Sequence, residues 1–227
     1  MLYAVGDIHG ELGKLDRLLG KLELRSEDRL VFLGDYIDRG PESAGVVSRL
    51  LELSRHHACV FLLGNHESMM LDFLGFRGPA YFGGDAFLLN GGDRTLASYG
   101  YFRGPDPKPE EFELPPAHEA FYRALKPFHV EGDYVFVHAG LGEKVLQSGD
   151  AGYALRRSRY EDLLWNRSTA EMPHNLGVTI VYGHTPARDL SAVSYTHLTL
   201  PTITYGCRGR GGGGRWSGGG GGGGGGG

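Results

Sequence analysis

The amino-acid sequence predicts an α/β protein with buried parallel strands, and two observations support this fold class. Short apolar runs alternate along the chain with stretches in which leucine and valine recur at helical spacing. Each apolar run also leads into a short loop of polar residues, as expected where the strands of an α/β sheet end at a ligand site. With 227 residues, 41% of them hydrophobic, the chain is long enough for one large domain with a substantial core.

The first third of the chain predicts three strands joined by helices. The runs LYAVG (2–6), RLVFLG (29–34) and ACVFLLG (58–64) are typical of buried strands. Apolar residues at helical spacing over 12–22 and over 46–53 predict a helix after each of the first two strands. This β-α-β-α-β order at short spacing favours parallel strands with crossover helices.

The remainder of the chain is less regular. Residues 76–116 are rich in glycine, proline and aromatic residues with weak periodicity, and we expect an insertion or lid that lines the substrate groove. A helix is predicted over 117–125 and strands over 133–140 and 178–185. Between these two strands lies a loop and helix region that carries LLWNR (163–167).

The C-terminal segment, residues 193–227, differs from the rest in composition. Sixteen of the 39 glycines lie between residues 206 and 227, and VSYTHLTLPT (193–202) looks like the translation of a sequencing-library adapter. We therefore predict a domain over 1–192, followed by a non-native, disordered tail. The arginines of this tail and Trp216 are too few to favour an RNA-binding glycine-rich segment.

Composition and charge exclude several classes of protein. The net charge of −4 and the lack of a basic cluster argue against a nucleic-acid or membrane-surface partner. No apolar stretch is long enough to span a bilayer, and the N-terminus lacks the pattern of a signal peptide. Two cysteines, Cys59 and Cys207, indicate a reducing compartment rather than a disulfide framework. We expect a cytoplasmic, monomeric protein.

Five polar motifs follow the predicted strands: GDIHG (6–10), GDYIDRGP (34–41), GNHE (64–67), HAG (138–140) and GHT (183–185). Because the carboxyl ends of parallel strands meet at one edge of a sheet, these loops should converge on one site. They would bring together a mixed set of carboxylate, amide and imidazole groups: Asp7, His9, Asp35, Asn65, His138 and His184. Such a set suits divalent ions, and its size suits two of them.

A simpler structural interpretation exists for four of these residues. Asp7 and Asp35 could cap the helices that follow them, and His138 and His184 could be hydrogen-bonded core histidines. The presence of all five motifs in register, each after a strand, favours ligands over both alternatives. His56, His57, His118, His129 and His174 lack such a context and are expected at the surface.

In this order, GDxHG, GDxxDRG, GNHE, HAG and GHT resemble the signature of the metallophosphoesterase (calcineurin-like) superfamily. The resemblance covers residues 1–190 and is to the phosphoprotein phosphatase family, with its bacterial and phage-type serine/threonine phosphatases. It implies a sandwich of two mixed β-sheets flanked by helices. The closing strands of that sandwich are expected to be missing here, so we expect an unstable chain with an unpaired sheet edge.

The resemblance also implies a role for each motif residue. Asp7 and His9 would bind the first metal, Asp35 would bridge the two ions, and a metal-bridging hydroxide would attack phosphorus. Asn65, His138 and His184 would complete the second metal site. The metals are expected to be manganese, with iron or zinc as alternatives.

The remaining motif residues would act on the substrate. His66 would be the general acid, oriented by Asp38, and Glu67 would support the site from behind. Arg39 and Arg167, together with Asn65, would bind the phosphate oxygens, since arginine offers planar bidentate donors; Arg167 could instead only stack on Trp165.

These roles predict a metal-dependent phosphomonoester hydrolase, specifically a serine/threonine protein phosphatase. The main alternative is a symmetrical dinucleoside tetraphosphate hydrolase. The resemblance favours the phosphatase because Asp38 precedes Arg39 and the third motif is GNHE rather than GNHD. A non-catalytic metal-binding scaffold is disfavoured because the acid His66 is present.

Overall fold

A computed structural model describes residues 1–101, 108, 110, 112–168, 172–185, 197–199 and 207–209. The described residues form two four-stranded β-sheets with helices packed against them. The predicted fold class is confirmed: the chain is an α/β protein with two sheets flanked by helices.

The first sheet has the strand order β3-β2-β1-β8. Its three N-terminal strands are parallel and are each followed by a helix, as the crossover rule for parallel strands requires. The helix after the third strand begins within the GNHE motif and was not predicted. The bounds are β1 Leu2–Val5, α1 Leu12–Lys21, β2 Arg29–Phe32, α2 Ser43–Leu53, β3 Ala58–Phe61, α3 Asn65–Phe73 and β8 Cys207–Gly209.

The second sheet has the strand order β4-β5-β6-β7. The first two strands form an antiparallel hairpin, and the other pairs are parallel. The bounds are α5 Pro116–Arg123, β4 Phe128–Glu131, β5 Tyr134–Val137, α6 Ala151–Arg157, α7 Tyr160–Trp165, β6 Thr179–Tyr182 and β7 His197–Thr199.

Successive side chains along each strand point to opposite faces of the sheet, and this divides the core into two parts. On β2, Leu30 and Phe32 point into the large cluster shared with the helices, whereas Val31 points the other way. Val31 belongs to a smaller cluster formed by both sheets, in which Phe136 of β5 and Val181 of β6 take part. Because every second side chain faces the opposite sheet, these strands are buried on both faces and appear in the sequence as continuous apolar runs.

The irregular segment after α3 contains two single-turn 3-10 helices, Gly84–Ala86 and Leu88–Asn90, and the short helix α4, Gly92–Ser98. Phe87 and Leu96 of this segment are buried in the main core. The sequence did not indicate α4, because a helix of seven residues that begins with glycine shows little periodicity. That the segment lines a substrate groove stays a prediction.

Three expectations differ from the structure. Disorder from residue 193 and an unpaired sheet edge without closing strands were predicted, yet His197–Thr199 pairs with β6 and Cys207–Gly209 pairs with β1; the rest of the tail lies outside the described residues. Pairing of this kind uses backbone groups that any sequence offers to an open sheet edge. His118 was expected at the surface but is buried, with its imidazole hydrogen-bonded to Ser48 and Tyr99. Among the described residues, no helix has the length and apolar character needed to cross a membrane.

Candidate metal centre and active site

The loops at the carboxyl ends of the strands bring the predicted site residues to one edge of the two sheets. Within the described ranges, five non-glycine residues have positive φ, and all five are predicted site residues: His9, Asp35, Asp38, Arg39 and His184. Such backbone conformations are costly for residues with a Cβ and persist only where the surroundings hold them. The strain is therefore concentrated at this edge of the protein.

The first group of converging side chains contains Asp35, Asn65, His138 and His184. The His138 Nε2 atom lies 3.2 Å from His184 Nδ1 and 3.4 Å from Asp35 Oδ1. The amide of Asn65 faces the same point, 2.9 Å from His138 Nε2 and 3.0 Å from His184 Nδ1. Ligand atoms of one divalent ion stand about 3 Å apart when each is about 2.1 Å from the ion.

The second group contains His9, Asp35 and His66. His9 Nε2 and His66 Nε2 lie 3.6 Å and 4.0 Å from Asp35 Oδ2. In both groups the ligand atoms are close enough to one another to hold a single ion. Asp35 is the member common to the two groups and directs one carboxylate oxygen to each.

Backbone carbonyls fix the tautomers of two of these histidines. His9 Nδ1 lies 2.9 Å from the carbonyl oxygen of Ile37, and His138 Nδ1 lies 2.8 Å from that of Leu33. Each Nδ1–H must donate to its carbonyl, so the Nε2 lone pair of each ring points into the site. His9 Nε2 is buried and has no hydrogen-bond partner among the described residues.

The electrostatics of the cluster favour the protonation states that metals require. Burial lowers the pKa of His9 to about 4 and, together with His138, that of His184 to about 3, so both rings are neutral near pH 7. Burial opposes the charge of Asp35, but the surrounding histidines hold its pKa well below the usual range. A carboxylate and neutral imidazoles are the forms that bind divalent cations, and the residues present therefore fit such ions.

Asp7 lies at the same edge but belongs to neither group among the described residues. It is buried, and its Oδ1 atom accepts a hydrogen bond of 3.1 Å from the backbone N–H of His184. Gly183 lies so close that a Cβ there would approach Asp7 Oδ1. Asp7 thus connects the first sheet to the last of the five loops, and its predicted role as a metal ligand stays a prediction.

Glu67 anchors the loop that carries Asp35. Its Oε2 atom accepts hydrogen bonds from the backbone N–H groups of Asp35 (2.9 Å) and Gly64 (3.0 Å). Its Oε1 atom accepts from Tyr36 (2.7 Å) and Ile37 (3.4 Å). Four N–H donors on one buried carboxyl group fix the loop backbone in its strained conformation.

His66, a member of the second group, also forms a close pair with Asp38. His66 Nδ1 lies 2.6 Å from Asp38 Oδ2, and both residues are buried. Burial disfavours the charged imidazole, but Asp35 and Asp38 outweigh it and raise the pKa of His66 to about 9. The other nitrogen, Nε2, lies 3.2 Å from Arg39 Nη2.

The two predicted phosphate-binding arginines are exposed. Arg39 is adjacent to the Asp38–His66 pair, whereas Arg167 follows helix α7 and is close enough to His184 to contribute to the lowering of its pKa. The ring of Trp165 lies edge-on to His184, with 6.2 Å between the ring centroids. Arg39 thus lies beside His66, and Arg167 lies near His184.

The sequence did not indicate two hydroxyl groups behind Asp38. Thr95 Oγ1 lies 2.6 Å from Asp38 Oδ1, and Ser43 Oγ lies 3.1 Å from Thr95 Oγ1. Thr95 is 57 residues from Asp38 in the chain. A threonine in an aperiodic segment gives no local signal, so only the tertiary structure reveals this contact.

Similarity to characterised proteins was found at two levels of coverage. The asymmetrical bis(5′-nucleosyl)-tetraphosphatase PrpE of Oceanobacillus iheyensis is 26% identical over 85% of this chain and 80% of its own length. The symmetrical bis(5′-nucleosyl)-tetraphosphatase of Nitrosospira multiformis is 30% identical over 62% of this chain. Serine/threonine-protein phosphatase 1 of Salmonella typhimurium is 39% identical over 40% of this chain. The chain spans less than half of the length of these last two relatives, 43% and 39%.

Solved structures and a family model agree on the fold. The cold-active protein-tyrosine phosphatase of a psychrophilic Shewanella has a TM-score of 0.60 at 18% identity, over 88% of this chain and 70% of its own. The model of the calcineurin-like phosphoesterase family matches residues 2–209, nearly the whole described chain. The predicted resemblance is thereby confirmed, and the chain belongs to the calcineurin-like phosphoesterases.

Proposed function

We propose that this chain hydrolyses phosphate esters or anhydrides with two divalent metal ions, bound where the two groups of converging side chains share Asp35. His66 of the second group would act on the substrate and not on a metal. Asp35 would bridge the ions, with Asp7 and His9 on the first and Asn65, His138 and His184 on the second. The observation that carries this proposal is the sharing of the Asp35 carboxylate between two ligand groups. Two ions at such a site would supply an activated water molecule and stabilise charge on the phosphate oxygens.

The side chains of this protein would bind the substrate and deliver the proton. Arg39, beside His66, and Arg167, near His184, would hold the non-bridging phosphate oxygens with their exposed guanidinium groups. With Nδ1 engaged by Asp38, the Nε2 atom of His66, which faces Arg39 Nη2 at 3.2 Å, would give a proton to the leaving oxygen. Asp35 and Asp38 raise the pKa of His66, the direction that a proton donor needs.

We infer that the substrate is a dinucleoside tetraphosphate. The relative that matches most of this chain is named as a bis(5′-nucleosyl)-tetraphosphatase, and it also matches over most of its own length. A second relative with the same class of name supports this choice over the protein phosphatase that the motif details favoured. Since one relative is named asymmetrical and the other symmetrical, the bond that is cleaved is left to experiment.

Hydrolysis of phosphoserine or phosphothreonine in proteins is the second candidate, because one feature of the site favours it. A serine alkoxide is a poor leaving group and needs a proton, whereas a nucleoside phosphate leaves as a stable anion. The buried Asp38–His66 pair, 2.6 Å apart, is an acid held ready for the poorer leaving group. A phosphatase relative matches over 40% of this chain.

A substrate panel with Mn²⁺ tests both candidates. Diadenosine tetraphosphate, a phosphoserine peptide and p-nitrophenyl phosphate are each incubated with the chain, with His66→Gln and with His56→Gln, an exposed histidine that serves as a matched control. We expect the dinucleotide to be the preferred substrate, with two ADP or ATP plus AMP as products according to the bond cleaved. Preference for the phosphopeptide would favour the second candidate, and no turnover of any of the three substrates with Mn²⁺, Fe²⁺ or Zn²⁺ would contradict the proposed function.

A further inference from the structure

We propose that Thr95 is a positioning residue: its buried hydroxyl group holds Asp38, and through Asp38 it aims the imidazole of His66. The proposal rests on the proposed function of His66 as proton donor. It assigns to the irregular segment after α3 a part in catalysis that differs from lining the substrate groove.

Thr95 contacts Asp38 at two atoms. The Thr95 hydroxyl donates to Asp38 Oδ1 over 2.6 Å and accepts from the backbone N–H of Asp38 over 2.8 Å. Both residues are fully buried, and Asp38 has a φ of 69°. The two hydrogen bonds therefore fix both the strained backbone and the side chain of the residue that contacts His66.

The donors and acceptors around Thr95 can be assigned. A carboxylate oxygen only accepts, so the single hydroxyl proton of Thr95 must go to Asp38 Oδ1. Ser43 Oγ, 3.1 Å away, must then be the donor to Thr95 Oγ1. Ser43 also accepts from the Asp38 N–H over 3.2 Å. All the hydrogen-bonding capacity of the Thr95 hydroxyl is thus used in holding Asp38 and its neighbour.

The two oxygens of Asp38 have separate partners. Oδ1 accepts from Thr95, and Oδ2 is 2.6 Å from His66 Nδ1. Without the Thr95 hydroxyl, Oδ1 would be a buried, charged oxygen without a hydrogen-bond donor. Rotation of the carboxylate would remove this penalty but would break the contact of Oδ2 with His66. Thr95 therefore acts on the orientation of the proton donor, not on the binding of phosphate.

The segment that carries Thr95 also packs against the loop that carries Asp38 and against the start of α2. The backbone N–H of Arg39 faces the carbonyl oxygen of Gly91 at 3.4 Å, and the N–H of Ala44 donates to Ser98 Oγ over 3.1 Å. These contacts lie on either side of Thr95 in the chain. Ser98 thus offers a control: it docks α4 without touching Asp38.

The test compares Thr95→Val, which keeps the shape but removes the hydroxyl, with Thr95→Ser, which keeps the hydroxyl. Turnover is measured on p-nitrophenyl phosphate, whose leaving group needs little protonation, and on an alkyl phosphate such as a phosphoserine peptide. For Thr95→Val we expect kcat to fall about tenfold or more on the alkyl ester and less than about threefold on the aryl ester, with KM unchanged. Thr95→Ser should restore the alkyl activity, and Ser98→Ala should affect both esters equally.

A second measurement does not depend on activity. In metal-free protein, proton NMR should show a downfield signal from the hydrogen-bonded Nδ1–H of His66, identified by its loss in His66→Gln. We expect Thr95→Val to broaden or shift this signal, while Thr95→Ser and Ser98→Ala retain it.

The outcomes separate positioning from a merely structural role. Equal losses on both esters in Thr95→Val, with an unchanged His66 signal, would overturn the proposal and leave Thr95 as a packing residue of α4. If the wild-type chain cleaves neither ester, the NMR comparison alone decides whether Thr95 holds the Asp38–His66 pair. The proposed function fails only if diadenosine tetraphosphate is not cleaved either.

Discussion

The loop that carries Asp35 and Asp38 and the stretch that carries Trp165 and Arg167 both border the site, but they are built differently. In the loop, Glu67 holds the backbone at Asp35, Tyr36 and Ile37, while Thr95 and Ser43 hold Asp38. In the other stretch, Arg167 is exposed and its side chain has no hydrogen bond or ion pair to the described residues. The Asp35 and Asp38 side chains are thus held by buried hydrogen bonds, whereas the Arg167 side chain is open to solvent.

The difference assigns separate tasks to the two borders. Ligand atoms around a metal pair and a proton donor must keep their geometry within fractions of an ångström, and buried hydrogen bonds supply that rigidity. An exposed arginine such as Arg167, if it binds phosphate as proposed, is free to meet substrates of different size. This agrees with a family in which one fold serves phosphatases and nucleoside tetraphosphatases.

The largest effect is expected at the centre of the rigid border. Asp35→Asn removes the charge that both ligand groups share, so we expect kcat to fall at least about a thousandfold and metal content to fall with it. Activity and metal per chain are measured together, with Asp133→Asn, an exposed carboxylate beyond β4, as control. Retention of two metals and of activity in Asp35→Asn would show that Asp35 is not the bridging ligand.

A smaller effect is expected at Glu67, which does not face the ligand groups but holds the backbone of the loop that carries Asp35. Glu67→Gln keeps the size of the side chain but replaces an acceptor oxygen by a donor that faces backbone N–H groups. We expect metal affinity to weaken about 10- to 100-fold and Tm to fall by several degrees. Titration calorimetry and thermal melting measure these, with the exposed Glu23→Gln as control. Unchanged affinity would mean that the loop keeps its shape without Glu67.

The sequence could predict which polar side chains meet at the site but not the hydrogen bonds that hold them in place. Asp35, Asn65, His138 and His184 are identifiable because each follows an apolar run within a few residues, and parallel strands bring such positions together. The two-sheet architecture itself came from family resemblance, because periodicity alone indicates only α/β.

The contacts that hold Asp38 and its neighbour Arg39 could not be predicted from the sequence, for a different reason. Thr95 and Gly91 come from a segment without periodicity, and a hydrogen bond across 57 residues leaves no trace in local spacing. The burial of His118 could not be predicted either. His118 is buried beside Tyr99 because of how α5 packs, and no residue near it in the sequence indicates this packing. Substrate choice is also beyond the motifs, since they describe the metal centre and not what surrounds it.

A moderate effect is expected at the open border. Because Arg167 is exposed, Arg167→Ala should raise KM about tenfold, the value of one charge-assisted hydrogen bond, and leave Tm unchanged. Steady-state kinetics on p-nitrophenyl phosphate and thermal melting test this beside Arg55→Ala, another exposed arginine. A fall in Tm as large as that of Glu67→Gln would contradict the contrast between the two borders.

The smallest effect is a difference between two glycines in the segment behind the loop. Gly91 and Gly100 have φ values of 96° and 86°, so alanine at either position pays about 1–2 kcal/mol of backbone strain. Only at Gly91 does a neighbour add to this: the new Cβ would lie 2.8 Å from the Arg39 nitrogen, whereas at Gly100 there is open space. Gly91→Ala should therefore displace Arg39 and lower kcat severalfold, while Gly100→Ala lowers Tm by a few degrees at unchanged kcat. Thermal melting and kinetics on p-nitrophenyl phosphate separate the two. Equal kinetics in both variants would mean that strain in this segment does not reach Arg39, and that the loop is held by Glu67 and Thr95 without help from Gly91.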